Sequence, residues 1–368
     1  MMENIKNLQG LALLEYLCSL FGPTGCEDEV AAKIKEITAD ICDEVRDIYP
    51  GGVLCKINGA KSADGTNKKI LFSAHMDEVG FMIKSIDGDG YLKILTVGGI
   101  DAKVMCGRRV IVAPWNASSD ETKRVRGVIG AKPVHLGGGD SVNVDNMYID
   151  IGATNKEDAE KYVKVGDFAV FDSNFVRFGQ DNRMVKGKAI DDRLGCAVMC
   201  DIAREMFAIP QNKRPNIDMY FAFTTREEVG LSGALVAANV VNPDYAIVLE
   251  ATAVADIEGV AKNSQVASQG GGGVLSILDH GTIYNREFFE FALKVGGGKN
   301  IPCQVKKFVS GANDAKSIHT SGSGVKTIAV SAPARYIHTA SNVIRAEDYG
   351  HIKNLVSAIV NELPTAEI

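Results

Sequence analysis

Five short segments carry the residue types that bind divalent cations: His75 and Asp77 in SAHMDEVG, Asp191 and Asp192 in GKAIDDRLG, Glu227 and Glu228 in TTREEVG, Glu250 in IVLEAT, and His338 in RYIHTAS. Imidazole nitrogen with carboxylate oxygen suits zinc, cobalt or manganese and excludes a thiolate site. Two imidazoles and three or four carboxylates are enough for two cations, and paired cations in such a setting point to hydrolysis. Most of these residues close an apolar run that reads as a buried strand, and strand ends are where open α/β sheets place their sites.

Each segment admits a plainer reading. His75 and Asp77 are two apart, so on a strand they face one side. That suits a ligating imidazole whose other nitrogen is oriented by Asp77; the plainer reading is a polar strand end. Asp191 and Asp192 open a helix, where N-capping competes with a carboxylate that bridges two cations. Asp191 is favoured as the bridge, with Asp192 and Arg193 as local supports. Glu227 and Glu228 are the sharpest signal, because a buried strand such as IDMYFAFTT does not end in two free carboxylates without cause. The strand must turn there, which Val229–Gly230 allows. One Glu then ligates and the other moves protons to and from a water; the alternative is a solvated acidic turn. Glu250 closes YAIVLE, with Asp256 as competitor. His338 follows Pro333 and Tyr336 in an ordered loop. His319 is next in interest, since GANDAKSIHTSG contains Asp314; His135, His280 and His351 stay unassigned. With neutral imidazoles, the carboxylates of Asp191, Glu228 and Glu250 plus one hydroxide balance two dications, which matters in a low-dielectric pocket.

The elements that must position these groups follow from periodicity. MMENIKNLQGLALLEYLCSLFG reads as an amphipathic first helix, not a signal peptide, and GPTGCEDEVAAKIKEI starts a second helix. Residues 44–58 read as two short strands with a turn at Asn58–Gly59, and KKILFSAH as a central buried strand. From about 84 to 176, short pieces such as YLKILTV, RRVIVAP, VRGVIGA, MYIDIGA and FAVFDS predict a small β-barrel or sandwich. RLGCAVMCDIAREMFA is read as an amphipathic helix, followed by strand IDMYFAFTT, helix SGALVAANVV and strand YAIVLEA. Strand and helix in alternation predict an α/β domain with a mostly parallel sheet and helices on both faces, interrupted by an all-β insert. The expected division is 1–83 with 177–368, and 84–176. QGGGGVLS (269–276) reads as a mobile loop.

A chain of 368 residues, 46% hydrophobic and 23% charged, is ordinary for a soluble protein of two or three lobes. Its net charge of −6 gives no reason to expect nucleic acid or an anionic membrane as partner, and no apolar run approaches a membrane span. Eight cysteines without CxxC spacing read as small buried hydrophobes in a reducing cytoplasm.

SAHMDEVGFMI, GKAIDDRLGC, TTREEVGLSGA, VLEAT and PARYIHT, in that order, resemble the M42 family of dinuclear metallo-aminopeptidases, the glutamyl and TET-like enzymes. GPTGCEDEV and GANDAKSIH extend the resemblance over nearly the whole chain. It implies a phosphorylase/hydrolase-like α/β domain with an inserted PDZ-like β domain used in assembly, and dimers built into a dodecamer whose sites face an inner chamber. By motif, it implies His75, Asp191, Glu228, Glu250 and His338 as metal ligands, Glu227 as general base and Asp77 as the residue that orients His75. One departure is Glu250, where many members have Asp. The expected activity is removal of N-terminal residues from peptides in the cytoplasm. Two rival readings remain at this level. A glycoside hydrolase could use the carboxylates as acid and base, but some relatives' endoglucanase label finds no carbohydrate signal here: the one Trp, Trp115, lies in the insert. An inactive assembly protein could keep the fold without the chemistry.

Overall fold

The computed structural model describes residues 5–62, 65–133, 135 and 143–368. The opening stretch forms α1 (Gly10–Ser19), residues 1–4 lying outside the described part, and GPTGCEDEV leads into α2 (Asp28–Thr38). β1 (Glu44–Ile48) and β2 (Gly52–Ile57) make a hairpin that turns at Tyr49–Gly51 rather than at Asn58–Gly59. KKILFSAH is β3 (Lys68–His75), buried from Ile70 onward.

Six strands follow: β4 (Gly80–Ile86), β5 (Leu92–Val97), β6 (Arg109–Ala113), β7 (Val125–Ala131), β8 (Met147–Asp150) and, after the single turn α3 (Lys156–Ala159), β9 (Phe168–Phe171). They close into a barrel in the order β4-β5-β8-β7-β6-β9, every neighbouring pair antiparallel. Phe81, Ile94, Val110, Ile129, Ile149 and Phe171 fill it. Alternation of apolar and polar residues along each strand puts those side chains inside, and closure leaves no sheet edge open.

The chain then returns through β10 (Val176–Phe178) and β11 (Met184–Gly187) to α4 (Ile190–Ala208), β12 (Ile217–Thr224), α5 (Ser232–Val241), β13 (Tyr245–Ala253), β14 (Gly273–Leu275), α6 (Arg286–Gly298), β15 (Cys303–Val305), α7 (Ala315–Ile318), β16 (Lys326–Ala334), β17 (Asn342–Arg345) and α8 (Ala346–Glu362). The main sheet has the order β1-β2-β12-β3-β13-β16-β14-β15. Its middle, β12, β3, β13 and β16, is parallel, while β1, β2 and β14 meet their inner neighbours antiparallel. The fold is mixed α/β, with α1, α2, α4, α6 and α8 packed on one face and α5 and α7 on the other. β10, β11 and β17 form a separate small sheet. Among the described residues no helix is long and apolar enough to cross a membrane. All eight cysteines are free, most of them buried.

Two elements differ from the sequence reading. Helix α4 is not half-exposed: from Ile190 through Cys200 every residue is buried between β3, β13, α1 and α8. Its small residues explain this, because Gly195 passes so close to β3 that an added Cβ would lie 2.9 Å from Ala74 Cβ and 2.5 Å from Asp192 Oδ2. The run QGGGGVLS is not a free loop. Val274 and Leu275 lie in β14, paired with β16 and β15, and the amides of Gly270 and Gly272 donate to Asp348. The glycines are there for contact: a Cβ on Gly272, at φ +77°, would sit 1.9 Å from the Pro302 carbonyl oxygen.

Arg193 locks α4 to the strand ends. It is fully buried and donates to the carbonyls of Met76 and Leu17, each at 2.6 Å, with Glu78 at 3.4 Å. Arg193→Ala takes the guanidinium donor from the Met76 and Leu17 carbonyls and leaves Glu78 paired with Lys188 alone, so it should lower stability by about 3–5 kcal/mol. The measurement is the urea midpoint with the slope held constant; a loss under about 1 kcal/mol would show that water replaces the guanidinium.

Candidate metal centre

The parallel register brings the carboxyl ends of four strands to one edge. His75 ends β3, level with Thr224 at the end of β12, and Glu250 on β13 is level with Ser331 on β16. β12 then turns to present Glu227 and Glu228. His338 comes from the loop after β16, and Asp191 from the first turn of α4.

Two ligand groups result, and they share one residue. His75 Nε2 lies 3.4 Å from Asp191 Oδ1 and 3.5 Å from Glu250 Oε1. His338 Nε2 lies 3.4 Å from Asp191 Oδ2 and 3.4 Å from Glu228 Oε1. Each oxygen of Asp191 thus faces a different imidazole. Both sets could hold an ion, as could a third formed by His75, Glu227 and Glu228.

The tautomers are fixed from behind. Nδ1 of His75 is 3.0 Å from the carbonyl of Asp77, and Nδ1 of His338 is 2.8 Å from the carbonyl of Gly99 in the loop after β5. A carbonyl only accepts, so each Nδ1 carries the proton and each Nε2 lone pair points into the site. The Asp77 carboxylate is engaged elsewhere. It accepts from the Thr24 hydroxyl at 2.7 Å and from the amides of Glu227 at 3.1 Å and Glu228 at 3.3 Å, with His75 Nδ1 further off at 3.5 Å. Asp77 therefore holds the ring with its backbone and the Glu turn with its side chain. Asp192 turns away and accepts from the Gly195 amide at 2.9 Å, capping its own helix.

The electrostatics are those of an acidic pocket awaiting positive charge. Burial pushes the carboxyl of Glu227 up to about 10, reinforced by Glu250, Asp314 and Glu228 against His75. Burial likewise raises Glu250 to about 8 and Glu228 to about 7, with Asp191 adding to both. Burial works against a charged His338 ring, but Asp191 and Glu228 outweigh it and raise it to about 9. Asp191 is driven well below the usual carboxylate range, burial opposing and His338 and His75 prevailing. Its Oδ1 is buried with no hydrogen-bond donor. A buried carboxylate whose two oxygens each face a different imidazole Nε2, one of them without a donor, fits a cation of the N/O-ligand kind. Protons on the imidazoles compete with it, so affinity for a cation falls as the pH drops.

The remaining candidates lie apart. Asp256 pairs with Arg335 at 2.7 Å and accepts from the Gln269 amide, and His319 folds onto the Ala315 carbonyl of its own helix. Asp314 sits beneath the site, accepting from Ser73 and Thr224. A cavity of about 280 Å³ opens over the ligands; its lining includes Asp279, Lys306, Ser310 and Asn313, not the glycine run. The sequence reading passed over Lys306, whose nearness to GANDA was the available signal, and Gly99, which carried none. A larger groove of about 1080 Å³ lies on the barrel beside Trp115, Arg124 and Tyr162.

A parallel α/β sheet whose strand ends gather two imidazoles and a shared carboxylate defines a metal-dependent hydrolase. The family model of the M42 glutamyl aminopeptidases matches residues 51–355, and the chain belongs to the M42 peptidases. It is 32% identical over 350 residues, 94% of this chain and 97% of the other, to a putative aminopeptidase of Acetivibrio thermocellus. It superposes on the TET aminopeptidase of a marine sediment archaeon, Thaumarchaeota archaeon SCGC AB-539-E09, with a TM-score of 0.89 and 34% identity over 96% of each chain. The Pyrococcus horikoshii TET1 peptidase, which can assemble into a tetrahedron or a large octahedral shell, gives a TM-score of 0.80 at 28% identity, covering 95% of this chain and 98% of that one.

Proposed function

We propose that this chain is a two-metal aminopeptidase that removes N-terminal residues from peptides. The observation that carries the reading is Asp191, with its two oxygens facing two different imidazoles at 3.4 Å. His75 and Glu250 would hold one ion, His338 and Glu228 the other, and Asp191 both. When bound, two divalent cations of the zinc, cobalt or manganese kind supply Lewis acidity for the scissile carbonyl and acidify the attacking water. Glu227 takes the proton from that water and passes it to the leaving amine. Asp77 and Gly99 keep the two rings in the ligating tautomer.

Substrate preference follows from Lys306. Its ammonium donates to the Ser310 carbonyl at 2.7 Å and forms no ion pair among the described residues. Asp279, the nearby counter-charge, already accepts from the amides of Gly281 and Thr282 and from the Tyr284 hydroxyl. Spare donors in the cavity favour an N-terminal residue with an acidic side chain. Lys306→Met should cut kcat/KM for a glutamyl-p-nitroanilide at least about tenfold relative to the leucyl one. An unchanged ratio would remove Lys306 from specificity.

In this arrangement residues 1–83 and 177–368 carry out catalysis and 84–176 form a PDZ-like assembly domain. The aromatic and basic groove on the barrel supports a role in subunit contact, and the shells formed by the P. horikoshii TET1 peptidase support dimers that assemble into a dodecamer. We assign its action to the cytoplasm. The test of the whole is a panel of aminoacyl-p-nitroanilides on chelated protein with zinc, cobalt or manganese added back. Activity that survives exhaustive chelation would overturn the metal-dependent mechanism.

A further inference from the structure

GPTGCEDEV takes no part in the chemistry above, yet it supplies two of the groups that hold the Glu227–Glu228 turn. We propose that Glu27 is a positioning residue for catalysis: it fixes the Arg226–Glu228 turn from which the base and one ligand enter the site. This rests on the reading of Glu227 as the base.

Three consecutive backbone amides are clamped by two buried carboxylates. Glu27 Oε1 accepts from the Arg226 amide at 3.2 Å and from its own loop at Gly25, 2.9 Å. Asp77 accepts from the next two amides, those of Glu227 and Glu228. Thr24, from the same loop as Glu27, donates to Asp77 at 2.7 Å. The turn needs holding, because Arg226 sits at φ +59°, a left-handed conformation that a non-glycine residue keeps only where its surroundings impose it.

Glu27 is also badly explained by anything else. It occupies the N-cap position of α2, yet its side chain makes no capping bond there. It is only 6% exposed and has no cationic partner among the described residues. A carboxylate kept in so dry a place without a counter-ion is costly, and one of its oxygens, Oε1, accepts from both the Arg226 and the Gly25 amides. The loop that carries it is itself fixed. Glu78 and Gly22 bond through their backbones at 2.9 Å, Thr24 and Glu78 at 3.2 Å, and Phe21 and Cys26 pack on Ala113 and Val170 of the barrel. Glu27 therefore ties the catalytic turn to a segment wedged between the sheet and the barrel.

Losing the acceptor frees the Arg226 amide and lets the turn drift, and a shift near 1 Å at a base costs on the order of 100-fold in rate. The test compares Glu27→Met, which fills the same volume without an acceptor, with Glu27→Gln, which keeps one. The substrate is the best p-nitroanilide of the panel, with zinc-loaded full-length protein. The expected result for Glu27→Met is a kcat lower by about 10- to 100-fold, with KM and bound zinc per chain at wild-type values. Glu27→Gln should return kcat to within about threefold of wild type. A wild-type kcat in Glu27→Met, a loss that follows zinc content, or no rescue by Gln each overturns the proposal. Glu27→Ala, judged by the same criteria, replaces the Met variant should that fail to fold. A zinc-loaded wild type that cleaves no p-nitroanilide sinks the peptidase reading instead, and an active Glu227→Gln sinks only the base.

Discussion

Glu227→Gln should lower kcat by about 10³-fold or more while leaving two metal ions per chain and the thermal midpoint unchanged. The change removes the proton acceptor and keeps the volume, so the loss measures general-base catalysis, for which 10²- to 10⁴-fold is the usual range. Metal content should not move, because each ligand set is complete without Glu227: His75, Asp191 and Glu250 form one, and Asp191, Glu228 and His338 the other. Glu227 does come near His75 and Glu228 in a third grouping. Metal analysis beside the kinetics therefore decides between the two roles. If the Gln variant loses an ion along with its activity, Glu227 is a ligand and the base must be sought elsewhere.

The second large effect is expected from Asp191→Ala. It is the only residue common to both complete sets, so its loss should weaken both ions together and take turnover below detection. A terminal ligand behaves differently: His338→Ala, in the more open set, with the ring about a third exposed, should strip one ion and leave the other. Elemental analysis after dialysis against a weak chelator reads this directly. One firmly held ion in Asp191→Ala, with activity within about tenfold of wild type, would show that the carboxylate is not shared.

Much of this was legible in the chain. Residue types at the ends of apolar runs drew attention to His75, the Glu227–Glu228 pair and Glu250 before any geometry, because a buried apolar run that ends in carboxylates demands a compensating charge; the motif resemblance assigned Asp191 and His338 as ligands and chose Glu228 as the ligand of its pair. The central strand β3 and the all-β middle segment followed from periodicity alone. The helix α4 did not, because a helix buried on all sides and one buried on a single face differ little in pattern when its residues are small. The glycine run misled for a related reason: four glycines suit a free loop and a crowded turn equally, and only the nearness of Pro302 separates them.

What the sequence settled by itself was which kinds of atoms the protein brings to its site, since ligand chemistry is a property of side chains. Which atom meets which partner was decided by the tertiary structure. The packing of the β3 end, the first turn of α4 and the loop after β16, not spacing along the chain, puts the oxygens of Asp191 opposite rings that are 263 residues apart in number, His75 and His338. Two backbone carbonyls, at Asp77 and Gly99, choose the tautomers, and a carbonyl leaves no trace in residue identity. Asp77 was read as a carboxylate that orients a ring; in the fold its carbonyl faces the ring and its carboxylate clamps the turn bearing Glu227. Hydrogen bonds of that kind depend on where the backbone passes, and only the packed chain fixes that path.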